Sequence, residues 1–268
     1  MAFSAEQVIE SFYYAVLNRC PDEDGMRTHV KRLKSDPSAL ISIAHDLFHC
    51  SEHMALLAGF SEFSDHSQFG EFPILLRRLV RDGSKNQIVI DVGARGRERS
   101  NSFDLASQFG WKVILIEANA DLYQEITEAF EGTDFTLIKC AVGATEGVMP
   151  FYIGSNDDVS SLIKDAASVW GDLRGQVPVE VRRLPAILEK LKIPLDFDLL
   201  SIDIEGVDVP VLNDLIDSSD YRPKYIIIEA SYGFKTKKLS DVYCSGKVQS
   251  CYTLINQTEA NLILQRRF

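Results

Sequence analysis

The apolar positions change period along the chain. From Glu6 to about Met54 they recur every three or four residues: Val8, Ile9, Phe12, Tyr13, Val16 and Leu17 come first, Val30 and Leu33 follow the break at CPDEDG, and Leu40, Ile41, Ala44, Leu47 and Phe48 follow a cap at Ser38 or Asp36. This spacing predicts a small bundle of three amphipathic helices. The polar, glycine-punctuated GFSEFSDHSQFGEF reads as a linker, and PILLRRLVRDGSKN as one more helix ending near Gly83. Beyond it, short β-branched runs alternate with helical segments, the rhythm of an α/β sheet. Strands are predicted at 87–92, 112–117, 135–142, 197–204 and 224–229, with DLYQEITEAFEG and LPAILEKLKI as intervening helices. The segment 143–185 departs from the rhythm. VMPFYIG and VPVEVRR look extended, and NDDVSSLIKDAASVWGD between them reads as a flap over a site, with Trp170 in a packing role. CYTLINQTEANLILQRRF gives two alternating segments about a bend at 257–261, as an antiparallel hairpin closing the sheet would. The predicted division is a helical module over 1–66 and an α/β domain over 67–268.

Composition narrows the function. A chain of 268 residues, 46% hydrophobic and 25% charged, has apolar matter for one large domain and a small appendage. Its net charge of −11 disfavours a nucleic-acid partner, whose phosphates are held mainly by Lys and Arg. The five cysteines are scattered and never form CxxC, so neither a disulfide framework nor a thiolate zinc site is indicated, and a reducing cytoplasm is expected. MAFSAEQVIESF lacks the layout of a signal peptide, and no apolar run reaches the roughly 20 residues of a membrane span. His45, His49 and His53 share helical spacing with Cys50 nearby, but a solvated helix face produces that pattern without zinc. No histidine follows His66, so a base in the larger domain must be a carboxylate, a tyrosine, a lysine or a metal-bound oxygen.

The candidate site begins in IVIDVGARG, where a buried strand runs into Asp91 and two glycines bracket a bend. Gly93 and Gly96 are expected to bring backbone N–H groups close to a ligand, with the following RERSNSFDLASQFG opening a helix toward the same place. In open α/β sheets ligands bind beyond the carboxyl ends of the strands. Those ends carry Asp91, Glu117, Cys140 with Ala141, Asp203 with Glu205, and Glu229, so acidic groups converge. Glu117 stands where a carboxylate accepts both hydroxyls of a ribose, or alternatively caps the next helix.

Two family resemblances follow from these residues. Tyr14, Leu17, Arg19, Pro21, Asp22, Gly25, Ser51 and Glu52 reproduce the pattern of the DUF4214 module, which commonly accompanies glycan-handling enzymes. IDVGARG, VILIEANADLY, KCAVG, DLLSIDIEGVDVPVL and YIIIEA stand in the order and spacing of the FkbM-type methyltransferases, from about Asp82 to the C-terminus. That resemblance implies a Rossmann-like class I sheet and S-adenosylmethionine as cofactor. By it Asp91, Gly93, Ala94, Arg95 and Gly96 hold the methionine part, Glu117 and Ala118 the ribose, and Cys140 and Ala141 border the adenine. Arg95 and Arg97 replace the family's usual asparagine and glycine, a departure that leaves the individual loop contacts open. An aliphatic hydroxyl needs its proton removed during transfer, and Asp203 is the first candidate base, with Glu205 or Asp208 second. Asp203 and Glu229 at adjacent strand ends also offer oxygen ligands for Mg²⁺, although Glu229 serves equally as a loop cap. The function so implied is O-methylation of a carbohydrate or similar polyhydroxylated acceptor. Two rivals stand beside it: a non-catalytic scaffold on which the helical module docks a partner glycosyltransferase, and a nicotinamide-dependent oxidoreductase, whose GxGxxG spacing DVGARGRERS lacks.

Overall fold

The structure, a computed structural model, describes residues 3–17, 19–48, 50, 64–155, 159–169, 171–230 and 238–267. Two compact units divide the chain, residues 1–64 and 65–268. In the first, helices α1 (Ala5–Leu17), α2 (Glu23–Ser35) and α3 (Ala39–Phe48) surround a core of Ile9, Tyr13, Val16, Leu17, Ile43 and Leu47, against which Val30 and Leu33 pack. The CPDEDG break starts α2: the Asp22 carboxylate accepts from the Gly25 N–H at 2.7 Å, satisfying one of the free donors of the first turn. The predicted stripe of α3 is met in part. Leu47 is buried and Leu40 and Ala44 are half-buried, whereas Ile41 is 80% and Phe48 50% exposed and Ile43, outside the stripe, is fully buried. The sequence ALISIAHDLF is apolar on more than one side, so contact with α1 and α2, and not periodicity, selects the inward face. His45 lies exposed on this helix, and His49, His53, Ser51 and Glu52 lie outside the described residues.

In the second unit α4 (Glu71–Asp82) ends at Gly83 and leads into β1 (Ile88–Val92), followed by α5 (Phe103–Phe109), β2 (Lys112–Glu117), α6 (Tyr123–Ala129) and β3 (Phe135–Lys139). Next come β4 (Ala141–Val142), β5 (Gly147–Gly154), α7 (Lys164–Ala167), β6 (Leu173–Arg182) and α8 (Leu184–Lys190). The last are β7 (Leu199–Ile202), α9 (Asp208–Ser218), β8 (Tyr225–Glu229), α10 (Gly246–Cys251), β9 (Tyr252–Gln257) and β10 (Asn261–Arg266). Seven strands form one sheet in the order β3-β2-β1-β7-β8-β10-β9. Its first five strands pair in parallel, and β10 runs against both β8 and β9. This is the mostly parallel Rossmann-like sheet, with a reversed strand in its C-terminal hairpin, that the sequence implied. Its inward residues, among them Ile90, Ile116, Leu200, Ile202 and Ile226, are fully or almost fully buried. Both faces of a parallel sheet are covered, which is why these strands read as continuous apolar runs.

The predicted strand over 135–142 divides in two. Pairing with β2 ends at Lys139, and after Cys140 the residues Ala141 and Val142 join β6 in a separate sheet of order β4-β6-β5. The extended segments of the irregular region are thus a long antiparallel hairpin, β5 with β6, carrying α7 between its strands. Trp170 lies outside the described residues. No helix among the described residues is long and apolar enough to cross a membrane.

The chain progresses outward from β1 in both directions, to β2 and β3 on one side and to β7 and β8 on the other. A crevice therefore opens beyond the carboxyl ends of β1 and β7. The register of this pair is fixed from its opposite end. Asp198, fully buried before β7, accepts the N–H groups of Lys85, Asn86 and Gln87 at 2.7–2.8 Å, clamping the turn that feeds β1. Asp198→Ala leaves those donors without their partner. The expected cost is about 3 kcal/mol, seen in a melting curve as a fall in Tm of roughly 6–12 °C.

Candidate active site

The carboxyl ends of β1, β2 and β7 border a cleft. Its floor is Gly93, Arg95, Glu117, Ala118 and Asn119; Cys140, Ala141 and Val142 form one wall. Phe151, Ser160 and Leu162, brought by the β5–β6 hairpin, form another. The irregular region does cover this cleft. Ser161 ties it down, its hydroxyl donating to the backbone carbonyl of Glu205 at 2.7 Å.

Glu117 ends β2 almost fully buried and accepts from the Asn119 N–H at 2.5 Å. Burial pushes its carboxyl up to about 7. Asn119 is itself 2% exposed; its side-chain oxygen accepts from the Asp121 N–H, while its Nδ2 is buried with no hydrogen-bond partner. A donor left so in the floor of a cleft calls for a ligand acceptor. Burial raises the Cys140 thiol to about 11, which leaves it neutral and a packing group.

A second cleft adjoins the first, and Gly93, Arg95, Asp203 and Glu205 line both. Its other walls are Asp91, Asn101, Ser201, Glu229, Gln68 and Arg99. Asp203, Glu205 and Glu229 each place a carboxylate oxygen within 4.8 Å of the others. Burial first, then the neighbouring carboxylates with Glu229 foremost, holds Asp203 well above the usual carboxylate range, and the same causes raise Glu205 to about 8. Desolvation likewise raises Glu229, which shares a hydrogen bond with Asp203. Asp208 stands apart. Both its oxygens are occupied, by the N–H groups of Ile204 at 2.7 Å and Gly206 at 2.8 Å, so it shapes the 203–207 loop.

The glycines of the first loop also make room for neighbouring segments of the chain. Gly93 (φ +83°) sits where a Cβ would lie 1.7 Å from the backbone oxygen of Asp203, so it lets two strand ends pass. The N–H groups of Gly93 and Ala94 are both spent on the carbonyl of Ile116. Ala94 is fully buried, and Gly96 is pressed on the Glu125 side chain, where a Cβ would lie 2.5 Å from a carboxylate oxygen. Of the residues expected around the cofactor, Ala94 and Gly96 therefore stand behind the cleft wall, and Asp91 opens on the second cleft, where it accepts from the Ser102 hydroxyl at 2.5 Å. The replacement at Arg97 also has a use: its Nε donates to His66 Nε2 at 2.8 Å, and His66 Nδ1 meets the buried Asp104 at 2.8 Å. Such a pin, formed across 38 residues, has no local sequence signal.

A family model, the methyltransferase FkbM domain, matches residues 91–243, more than half of the chain. The chain belongs to the FkbM methyltransferase family. The FkbM match opens on Asp91 and takes in the strand ends carrying Glu117, Asp203, Glu205 and Glu229. No curated protein matches. Among solved structures, the methyltransferase FkbM from Methylobacillus flagellatus KT is similar at 14% identity and a TM-score of 0.39, over 95% of this chain and 58% of that one. The chain thus spans little more than half the length of that FkbM structure.

Proposed function

We propose that this protein is an S-adenosylmethionine-dependent O-methyltransferase, that the first cleft takes the cofactor, and that the second takes a hydroxyl of a carbohydrate or similar polyhydroxylated acceptor. The observation that carries this reading is the meeting of the two clefts at Gly93, Arg95, Asp203 and Glu205. A methyl group delivered from one side there faces an acidic, polar chamber on the other. Bound S-adenosylmethionine supplies an electrophilic methyl, and the chain supplies position and a proton acceptor. The orphaned Asn119 amide and the buried Glu117 fit a nucleoside ribose, and the wall of Cys140 and Ala141 with Phe151 and Leu162 fits an adenine. Asp203 is the base, and Glu205 beside it shares its surroundings. The DUF4214 resemblance of the N-terminal helices supports a glycan acceptor or a glycosyltransferase partner docked through them. Calorimetry tests the core of the reading: S-adenosylhomocysteine binds and NADH does not, and the reverse result replaces it with the oxidoreductase.

The Glu117 assignment carries a pH dependence. Its carboxyl, pushed up to about 7, must be ionised to accept two ribose hydroxyls, so cofactor binding works against protonation below that value. Affinity for S-adenosylhomocysteine is expected to rise roughly tenfold between about pH 6 and about pH 8. Glu117→Gln weakens binding and flattens this slope. A slope that survives the substitution assigns the titration elsewhere.

Mg²⁺ is a second occupant favoured by the grouping of Asp203, Glu205 and Glu229. Three carboxylates in a shielded space repel, and a cation relieves that repulsion as a proton does. If the cation belongs there, EDTA abolishes turnover and Mg²⁺ restores it; turnover indifferent to EDTA leaves Asp203 as an unassisted base.

A further inference from the structure

Asn101 is unusual among the groups of the second cleft. Its Nδ2 donates to the Ser201 hydroxyl at 3.2 Å, while its Oδ1 is buried with no hydrogen-bond partner. Ser201 and Asp91 are register partners on β7 and β1. With its NH₂ turned to Ser201, the amide of Asn101 carries its oxygen on the side away from that residue. The segment around it is held fast. Ser100 Oγ accepts from the N–H groups of Ser102 and Phe103 at 3.2 and 3.0 Å, and the Ser102 hydroxyl is spent on Asp91. A buried acceptor left unpaired on such a rigid support bears its full desolvation cost unless a ligand donates to it.

The candidate donor is set by the cleft. Ser201 lies two residues before Asp203, and both line the same wall, which puts the two positions roughly 7 Å apart along the chain. A molecule with hydroxyls on adjacent or alternate carbons spans such a gap. We propose that Asn101 is an acceptor-orienting residue whose side-chain oxygen takes a hydrogen bond from one hydroxyl of a polyhydroxylated acceptor while a different hydroxyl is presented to Asp203. This rests on the methyl-transfer reading and adds to it a specificity-determining contact from outside the carboxylate group.

The test is a double-mutant cycle read by saturation-transfer NMR titration, with S-adenosylhomocysteine present. The probes are the methyl glycosides of glucose, galactose and mannose and their monodeoxy analogues. In the wild-type protein one monodeoxy position is expected to weaken binding about tenfold. In Asn101→Leu the parent sugar is weakened by about the same factor, the same deoxygenation costs nothing more, and S-adenosylhomocysteine binds as before. Asn101→Ser, a smaller change, stands in if the leucine variant melts early. The proposal is overturned if every deoxygenation costs the same in variant and wild type, or if no methyl glycoside binds while S-adenosylhomocysteine does. Failure of S-adenosylhomocysteine to bind the wild-type protein instead removes the underlying methyl-transfer reading.

Discussion

Asp203→Asn is expected to lower kcat by a factor of about 10²–10⁴, the usual contribution of a positioned general base, while S-adenosylhomocysteine binds with unchanged affinity. The substitution keeps the shape and the backbone contacts of the residue, whose N–H donates to Val92 O and whose carbonyl packs on Gly93, so the loop retains its course. What it removes is the capacity to take a proton at the junction of the two clefts. Radiolabelled methyl transfer into a cellular glycan extract measures the loss, and an active variant would withdraw the assignment. The pH profile adds a second reading. Burial and the neighbouring carboxylates hold Asp203 above the ordinary carboxylate range, with Glu205 at about 8 beside it. The ionised base therefore accumulates only at pH above the ordinary carboxylate range, and turnover is expected to climb as pH rises beyond it.

The second large effect is expected at Gly93. With φ at +83° and a Cβ 1.7 Å from the Asp203 oxygen, Gly93→Ala meets backbone, which has no rotamer to yield. The ends of β1 and β7 must separate, breaking the bond that the Asp203 N–H makes to Val92 O. A loss of about 4 kcal/mol is expected, a fall in Tm of roughly 8–16 °C, together with loss of S-adenosylhomocysteine binding. Gly110→Ala is the control. Gly110 has a similar φ of +67° but open space where its Cβ would go, so it carries only the conformational penalty of about 1–2 kcal/mol. Equal effects at the two positions would show that backbone conformation, and not the crossing at Asp203, is what Gly93 provides.

Much of this arrangement was legible before any coordinates. The strands of a doubly covered sheet betray themselves as β-branched runs, and an acid that closes such a run lands at the rim, as Asp91, Glu117, Asp203 and Glu229 do. What escaped were matters decided by partners distant in sequence. The break at Cys140 follows from Ala141 and Val142 finding β6, forty residues away. The inward face of α3 follows from its neighbours, and the pinning of Arg97 by His66 and Asp104 has no periodicity to announce it. The glycine bend has a second use that only the fold discloses: Gly93 makes room for Asp203, and Gly96 for Glu125. Asn101 gave no signal at all, since an asparagine among serines reads as a turn.

The bond from the Ser161 hydroxyl to the carbonyl of Glu205 joins the roof of one chamber to the floor of the next. Whatever displaces Ser161 therefore also pulls on the loop that carries Asp203 and Glu205, and a disturbance of either chamber is felt in the other.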